Sequence, residues 1–324
     1  MQYRALGHSG LKLSVIGLGS WLTFGGNVDR TMTRACVLRA WEKGVNFIDT
    51  ANVYAHGAAE ETLAPILKEL DRGALVLATK VYFPMGDSIN ERGLSRKHIR
   101  DQADRSLKRL QVDYIDLYQC HRYDPTTPLE ETCAMMNDLV RQGKILYWGV
   151  SEWNADQITA AATLCAARGW AVPIGNQPQY SALWRRAEER VFPVCRRYGL
   201  GNVVWSPLAM GILTGKYADA AHPPTGTRAA APAKEMMEDY FTQPVLDAVQ
   251  KLVPLAQRAE CTLGQLALAW CLREPAVSSV ITGATKIEHV DENVAAGDLD
   301  VDASIFAEMN RILQPVAPHE PYLA

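Results

Sequence analysis

Short apolar or β-branched runs alternate with longer segments of helical period along most of the chain. That alternation restricts the fold to repeated βα units around a parallel sheet. Eight runs read as strands: Val15–Leu18, Val45–Ile48, Leu75–Thr79, Tyr114–Gln119, Leu146–Val150, Pro173–Asn176, Val203–Trp205 and Val280–Thr282. Between them, Ile99, Ala103, Leu107 and Leu110 share one helical face, as do Leu129, Cys133, Met136 and Val140, and again Leu263, Leu266, Ala267 and Trp270. Ser95 and Asn154 stand where N-caps belong. Pro65 falls inside Glu60–Leu70, so the helix there either starts near Ala64 or kinks.

A length of 324 residues permits two domains, or one α/β barrel of the kind that commonly reaches this size. The first fourteen residues, with a His-Ser-Gly turn between Tyr3–Leu6 and Leu11–Ser14, read as a hairpin capping a barrel floor. Lys216–Tyr240, rich in Pro, Gly and Ala, reads as a long loop between the seventh and eighth strands that covers a ligand. The 33 basic and 36 acidic residues give a formal net charge of -3, with no basic excess for a nucleic-acid backbone or a membrane surface. A small molecule is the expected partner. Seven cysteines without a Cys-x-x-Cys pair indicate neither a disulfide framework nor a zinc knuckle, and no charged leader or long apolar run is present. A soluble protein of the reducing cytoplasm, with no membrane insertion, is expected.

Asp49 ends the second strand and Tyr54 follows five residues later, Lys80 follows the third strand, and His121 lies just past the fourth. In a barrel, these C-terminal strand ends form the catalytic face. A phenol titrates near ~10, and a neighbouring ammonium favours its ionised form. Lys80 is therefore expected to lower the Tyr54 pKa and Asp49 to hold Lys80. These residues permit carbonyl reduction, in which Tyr54 gives a proton to the developing alkoxide while His121 donates a hydrogen bond to the carbonyl oxygen. The sequence contains no hydride source, so a nicotinamide cofactor is implied.

Two phosphate-binding motifs fail. Gly17-Leu18-Gly19-Ser20-Trp21-Leu22 follows the first strand, but Leu22 occupies the third glycine position of a dinucleotide fingerprint. Gly211 to Tyr217 is one spacer short of a P-loop and has tyrosine where Ser or Thr is needed.

The chain resembles the aldo-keto reductases, in particular the branch containing the β subunits of Shaker-type potassium channels and their bacterial reductase relatives. The resemblance rests on Gly-Leu-Gly-Ser-Trp-Leu-Thr-Phe-Gly-Gly (17–26), Phe-Ile-Asp-Thr-Ala-Asn-Val-Tyr (47–54), His-Arg-Tyr-Asp (121–124), Trp-Ser-Pro-Leu-Ala-Met-Gly-Ile-Leu-Thr-Gly-Lys-Tyr (205–217) and Gly-Ala-Thr-Lys (283–286). It implies a (β/α)8 TIM barrel spanning 1–324 as one domain, NADPH or NADP+ as cofactor, and a catalytic tetrad of Asp49, Tyr54, Lys80 and His121. It further implies that Trp205 stacks on the nicotinamide, that Ser151 and Gln177 hold its carboxamide, and that Ser20, Trp21 and Asn27 lie beside cofactor and substrate. Ser206, Pro207, Leu208, Ala209, Met210 and Lys216 would follow the pyrophosphate. Gly283, Thr285, His289, Glu292 and Asn293 would hold the adenosine end, with Lys286 and Arg228 offering charge to a 2′-phosphate. Channel β subunits often carry asparagine where this chain has His121, so the histidine aligns it with working reductases.

The leading expectation is NADPH-dependent reduction of small aldehydes or ketones. One alternative is a redox-sensing accessory subunit with little turnover, and another uses Lys80 as a Schiff-base nucleophile, which a charge-holding Asp49 disfavours. Trp21, Phe24, Tyr82, Tyr123 and Trp153 are candidate walls of an apolar mouth. The branch commonly assembles from several copies, which makes a homo-oligomer the corresponding expectation.

Overall fold

The computed structural model describes residues 1–26, 28–230, 237 and 240–318. Asn27, expected beside the cofactor, and much of the end of the long loop lie outside the described residues. Among the described residues there are ten strands: β1 (Tyr3–Ala5), β2 (Lys12–Ser14), β3 (Ile16–Gly19), β4 (Phe47–Asp49), β5 (Val76–Val81), β6 (Ile115–Cys120), β7 (Ile145–Ser151), β8 (Gly175–Gln177), β9 (Gly201–Val204) and β10 (Val277–Thr282). The helices are α1 (Arg30–Glu42), α2 (Ala58–Leu67), α3 (Arg96–Leu110), α4 (Leu129–Arg141), α5 (Ala155–Arg168), α6 (Val191–Tyr198), α7 (Gln243–Gln250), α8 (Val253–Arg258), α9 (Leu263–Leu272), α10 (Ile287–Ala295) and α11 (Ala303–Leu313).

Strands β3 to β10 pair in sequence order, each parallel to its neighbours, and β10 returns to β3 to close the barrel. These are the eight expected strands, displaced at their ends by a few residues. Strands β5, β6 and β10 are buried at every position, as parallel strands covered on both faces require. Helices wrap the outside. The caps at Ser95 and Asn154 form as expected, the latter as a capping box with Gln157. Of the two alternatives for helix α2, a start near Ala64 is excluded, because the helix begins at Ala58 and runs through Pro65. Gly57, at φ 96°, makes the left-handed turn that launches it, and Pro65 falls in its last turn, where a missing N–H removes a single bond.

The N-terminal hairpin closes the barrel floor. Strands β1 and β2 pair antiparallel from Tyr3↔Ser14 to Ala5↔Lys12. Leu6 and Leu13 are buried against Phe47, Val76, Ala78, Leu117, Val203 and Ile281. Backbone crosses backbone here, since a Cβ on Gly201 would lie 2.3 Å from the Gly7 nitrogen. Only glycine lets the hairpin seat this deeply.

Alternate residues of a strand share a face, and this periodicity carries the fold up to the site. Phe47, Val76, Ala78 and Leu117 fill the lower barrel. Continuing those faces toward the C-terminal ends gives Asp49, Lys80 and Gln119, and Gln177 follows Gly175 in the same way. A plug of apolar side chains thus becomes a ring of polar ones at the rim.

Candidate active site

Lys80 is fully buried, at 0% exposure, and Asp49 is 3% exposed. The Lys80 ammonium donates to Asp49 Oδ2 at 2.5 Å, to the Thr50 carbonyl at 2.9 Å and to the Tyr54 hydroxyl at 3.3 Å. Its three protons are therefore assigned. Asp49 Oδ1 accepts from the Gln177 side-chain amide at 2.9 Å and from that of Gln119 at 3.4 Å, so the non-adjacent strands β6 and β8 hold the carboxylate across the lumen. Burial opposes the Lys80 charge, but Asp49 and Tyr54 more than offset it and leave the pKa above the ordinary lysine value.

Tyr54 sits on a strained turn: Ala55 at φ 48° and His56 at φ 52° precede Gly57 at φ 96°. Such conformations cost about 1–3 kcal/mol each in non-glycine residues and persist where surroundings enforce them. Burial raises the phenol pKa above its ordinary value, with Lys80 pulling it down and Asp49 pushing it up. The expected effect of Lys80 is present, but the net shift is upward. Lys80 does favour the phenolate, but desolvation and the Asp49 charge outweigh it, and Tyr54 remains protonated at neutral pH.

His121 packs edge-on against Tyr54 with ring centroids 5.7 Å apart, and Phe83 packs edge-on against His121 at 4.9 Å. Its pKa is held well below the ordinary histidine value, first by burial and then by the charges of Lys80 and Arg122. The imidazole is neutral, and its buried Nδ1 has no hydrogen-bond partner among the described residues. Trp21 stands 6.5 Å from Tyr54 and 6.0 Å from Trp205, perpendicular to the latter. Of the proposed mouth aromatics, Trp21, Tyr82 and Tyr123 are half-buried, whereas Phe24 and Trp153 belong to the packed core.

Other candidate residues gather on the same rim. The Ser20 hydroxyl donates to Thr50 Oγ1 at 2.8 Å, and Ser151 donates to the Gln177 carbonyl at 2.9 Å. The half-buried Trp205 follows β9, and Ser206, Pro207, Leu208, Ala209 and Met210 form the turn after it. Ser206, Ala209 and Met210 all have positive φ, at 53°, 46° and 56°.

Cations converge farther along. His289 has its pKa lowered by burial, then by Lys286 and also by Lys216, which places both ammoniums near one imidazole. The Lys216 ammonium lies 5.1 Å from the centre of the Tyr217 ring, and Arg228 is half-buried. Lys286 caps α10, whose N-terminal amides add to the positive field. Thr285 Oγ1 is 3.3 Å from His289 Nδ1, Glu292 accepts from Thr262 at 2.7 Å, Asn293 is buried, and Gly283 is exposed after β10. This arrangement fits a polyanion.

Glu152 did not stand out in the sequence. Its carboxylate accepts from Trp205 Nε1 at 2.8 Å and from the Gln179 backbone N–H at 2.6 Å, and so fixes the edge of the indole. Its φ of 56° allows that reach. Thr50 and Gln119 were also missed, although both flank residues that the pattern does identify.

An eight-stranded barrel with a buried carboxylate–ammonium–phenol array at its C-terminal rim is a scaffold for proton transfer. The chain belongs to the aldo/keto reductase family, whose profile matches residues 15–314. It is 43% identical over 302 residues to a protein of Arabidopsis thaliana described as a probable voltage-gated potassium channel subunit beta, covering 92% of each chain. A protein of Oryza sativa subsp. japonica with the same description is 41% identical over 324 residues, covering 99% of this chain and 98% of that one. No helix among the described residues is long and apolar enough to cross a membrane.

Proposed function

We propose that this chain reduces small aldehydes and ketones to alcohols with NADPH, Tyr54 acting as general acid. The observation that carries this reading is the buried array in which Lys80 touches Asp49 and Tyr54 together. When bound, the dihydronicotinamide supplies hydride. Tyr54 passes its proton to the carbonyl oxygen, and the Lys80 ammonium, held charged by Asp49, stabilises the phenolate that remains. Neutral His121 donates a hydrogen bond to the same oxygen and positions it.

Trp205, steadied by Glu152, would form one wall of the nicotinamide site, with Ser151 and Gln177 at its carboxamide. The backbone of 206–210 and Lys216 would follow the pyrophosphate. Lys286 and Arg228 favour a 2′-phosphate and hence NADPH over NADH.

NADPH oxidation followed at saturating cofactor with simple aldehydes tests the proposal. Tyr54→Phe should lower kcat/KM by about 10²–10⁴-fold, the usual contribution of a positioned proton donor. Turnover within a few-fold of the unsubstituted enzyme would remove Tyr54 from the mechanism. A second reading, a nicotinamide-binding accessory subunit with little turnover, is favoured by the descriptions of the plant relatives. Tight NADPH binding without reduction of any aldehyde would support it.

A further inference from the structure

Arg122 directly follows His121 and is half-buried. Its Nη1 donates to the His121 carbonyl at 2.6 Å, and the guanidinium carbon lies 5.4 Å from the centre of the Phe83 ring. Phe83 packs on His121 and His121 on Tyr54, so a continuous set of rings links this guanidinium to the proton donor. Its charge is felt at both Tyr54 and His121.

Arg122 holds no carboxylate among the described residues. Arg72, Arg109 and Arg185, half-buried like it, pair with Asp116, Glu60 and Glu188 at 2.7, 2.6 and 2.8 Å. Asp49 is committed to Lys80, while Asp124 accepts from the Leu94 nitrogen at 2.7 Å and from the hydroxyls of Thr126 and Thr127 at 2.7 and 2.8 Å. A partly desolvated cation without a counter-charge is costly to maintain, and most of its five N–H donors have no partner among the described residues. An oxyanion arriving with the substrate would satisfy both needs through charge-assisted, planar recognition.

We propose that Arg122 is a substrate-recognition residue for an oxyanion, and that the preferred substrates are small carbonyl compounds bearing a carboxylate or phosphate. This rests on the reductase reading and specifies its substrate class. The test compares 4-carboxybenzaldehyde with its methyl ester, which differ in charge at the far end of the ring. The ratio of kcat/KM for the two is divided by their relative rates of borohydride reduction, which removes intrinsic reactivity.

The unsubstituted enzyme should favour the carboxylate by at least about tenfold, the worth of one charge-assisted hydrogen bond. Arg122→Gln should bring the normalised ratio close to unity, and Arg122→Lys should retain part of it. A normalised ratio near unity in the unsubstituted enzyme for the carboxylate pair and for a phosphate-bearing pair alike overturns the assignment without any variant, as does a preference that survives Arg122→Gln. A separate phosphate-bearing aldehyde measured against its dephosphorylated form shows which oxyanion is favoured. Turnover of neither benzaldehyde nor of any simple aldehyde would defeat the reductase reading and this assignment together, whereas turnover with equal normalised rates for charged and uncharged members of both pairs defeats the assignment alone.

Discussion

Asp49→Asn isolates the electrostatic centre of the rim. The change preserves shape but removes the charge facing an ammonium that has 0% exposure and sits 2.5 Å away. An asparagine must also direct its NH2 toward either Lys80 or Gln177, both of which donate to Asp49. Removing one partner of a buried ion pair costs about 3–5 kcal/mol. Lys80 can instead lose its proton, and deprotonating an ordinary lysine at pH 7 costs about 4–5 kcal/mol at 1.36 kcal/mol per unit below ~10.4. Both routes predict destabilisation of about 3–5 kcal/mol at neutral pH.

The pH dependence separates this account from a simple packing defect. In the unsubstituted protein Lys80 is raised above its unfolded value. Its contribution is therefore fully present below ~10.4 and disappears only as pH rises through the higher folded value, so it adds no slope between pH 7 and 10. In the variant, burial is no longer opposed and pushes the Lys80 pKa down. The unfolded state then binds more protons than the folded state, and stability rises with pH by up to about 1.4 kcal/mol per unit until ~10.4. Denaturant midpoints followed by tryptophan fluorescence at pH 7, 8.5 and 10 should show the gap between the two proteins closing. A gap under about 0.5 kcal/mol at pH 7, the range of ordinary surface substitutions, or one that stays constant with pH, would refute the reasoning.

Glu152→Ala removes the acceptor that fixes the Trp205 indole and the Gln179 backbone N–H. KM for NADPH should rise about tenfold, with a smaller change in kcat and a shift in tryptophan emission on cofactor binding, and Glu152→Gln should recover much of the loss; an unchanged KM would detach Glu152 from the cofactor wall. Lys286→Ala should weaken NADPH by about tenfold while leaving NADH nearly unaffected, read as the ratio of their kcat/KM values, and equal losses for both would place Lys286 away from the 2′-phosphate.

The barrel was legible because its strands are apolar runs and its helices carry one stripe each. The strand ends were less so. At Lys80, Ser151 and Gln177 the strand continues into lumen-facing polar residues, which resemble the start of a loop when read as composition. The grouping of Asp49, Tyr54 and Lys80 could be inferred because period-two alternation places Asp49 and Lys80 on the lumen face. Glu152 could not. A continued strand would turn it away from Ser151's side, and its left-handed φ, for which glutamate carries no sequence signal, brings it back toward Trp205 across two βα loops. The net shift of Tyr54 was equally hidden, because the Lys80 charge can be read from proximity in a pattern, whereas burial can be read only from the folded chain.

The two ends of the barrel differ in where unfavourable conformations are tolerated. At the floor, glycines absorb the close approach of the hairpin, so little strain is needed. Among the described residues, nine non-glycine residues have positive φ, and seven of them (Leu22, Ala55, His56, Glu152, Ser206, Ala209 and Met210) lie in loops that leave the C-terminal ends of strands. The other two, Gln111 and Glu260, follow helix ends, where such turns are ordinary. At about 1–3 kcal/mol each, the rim conformations would relax if nothing opposed them. At the turn after Tyr54, what opposes relaxation is the polar ring that the apolar lumen supports from below: Lys80 holds the Tyr54 hydroxyl, and Asp49 bonds both Lys80 and Gln177 across separate strands. The packed floor therefore contributes to the chemistry, since it lets the rim keep Tyr54 on a strained turn within 3.3 Å of Lys80.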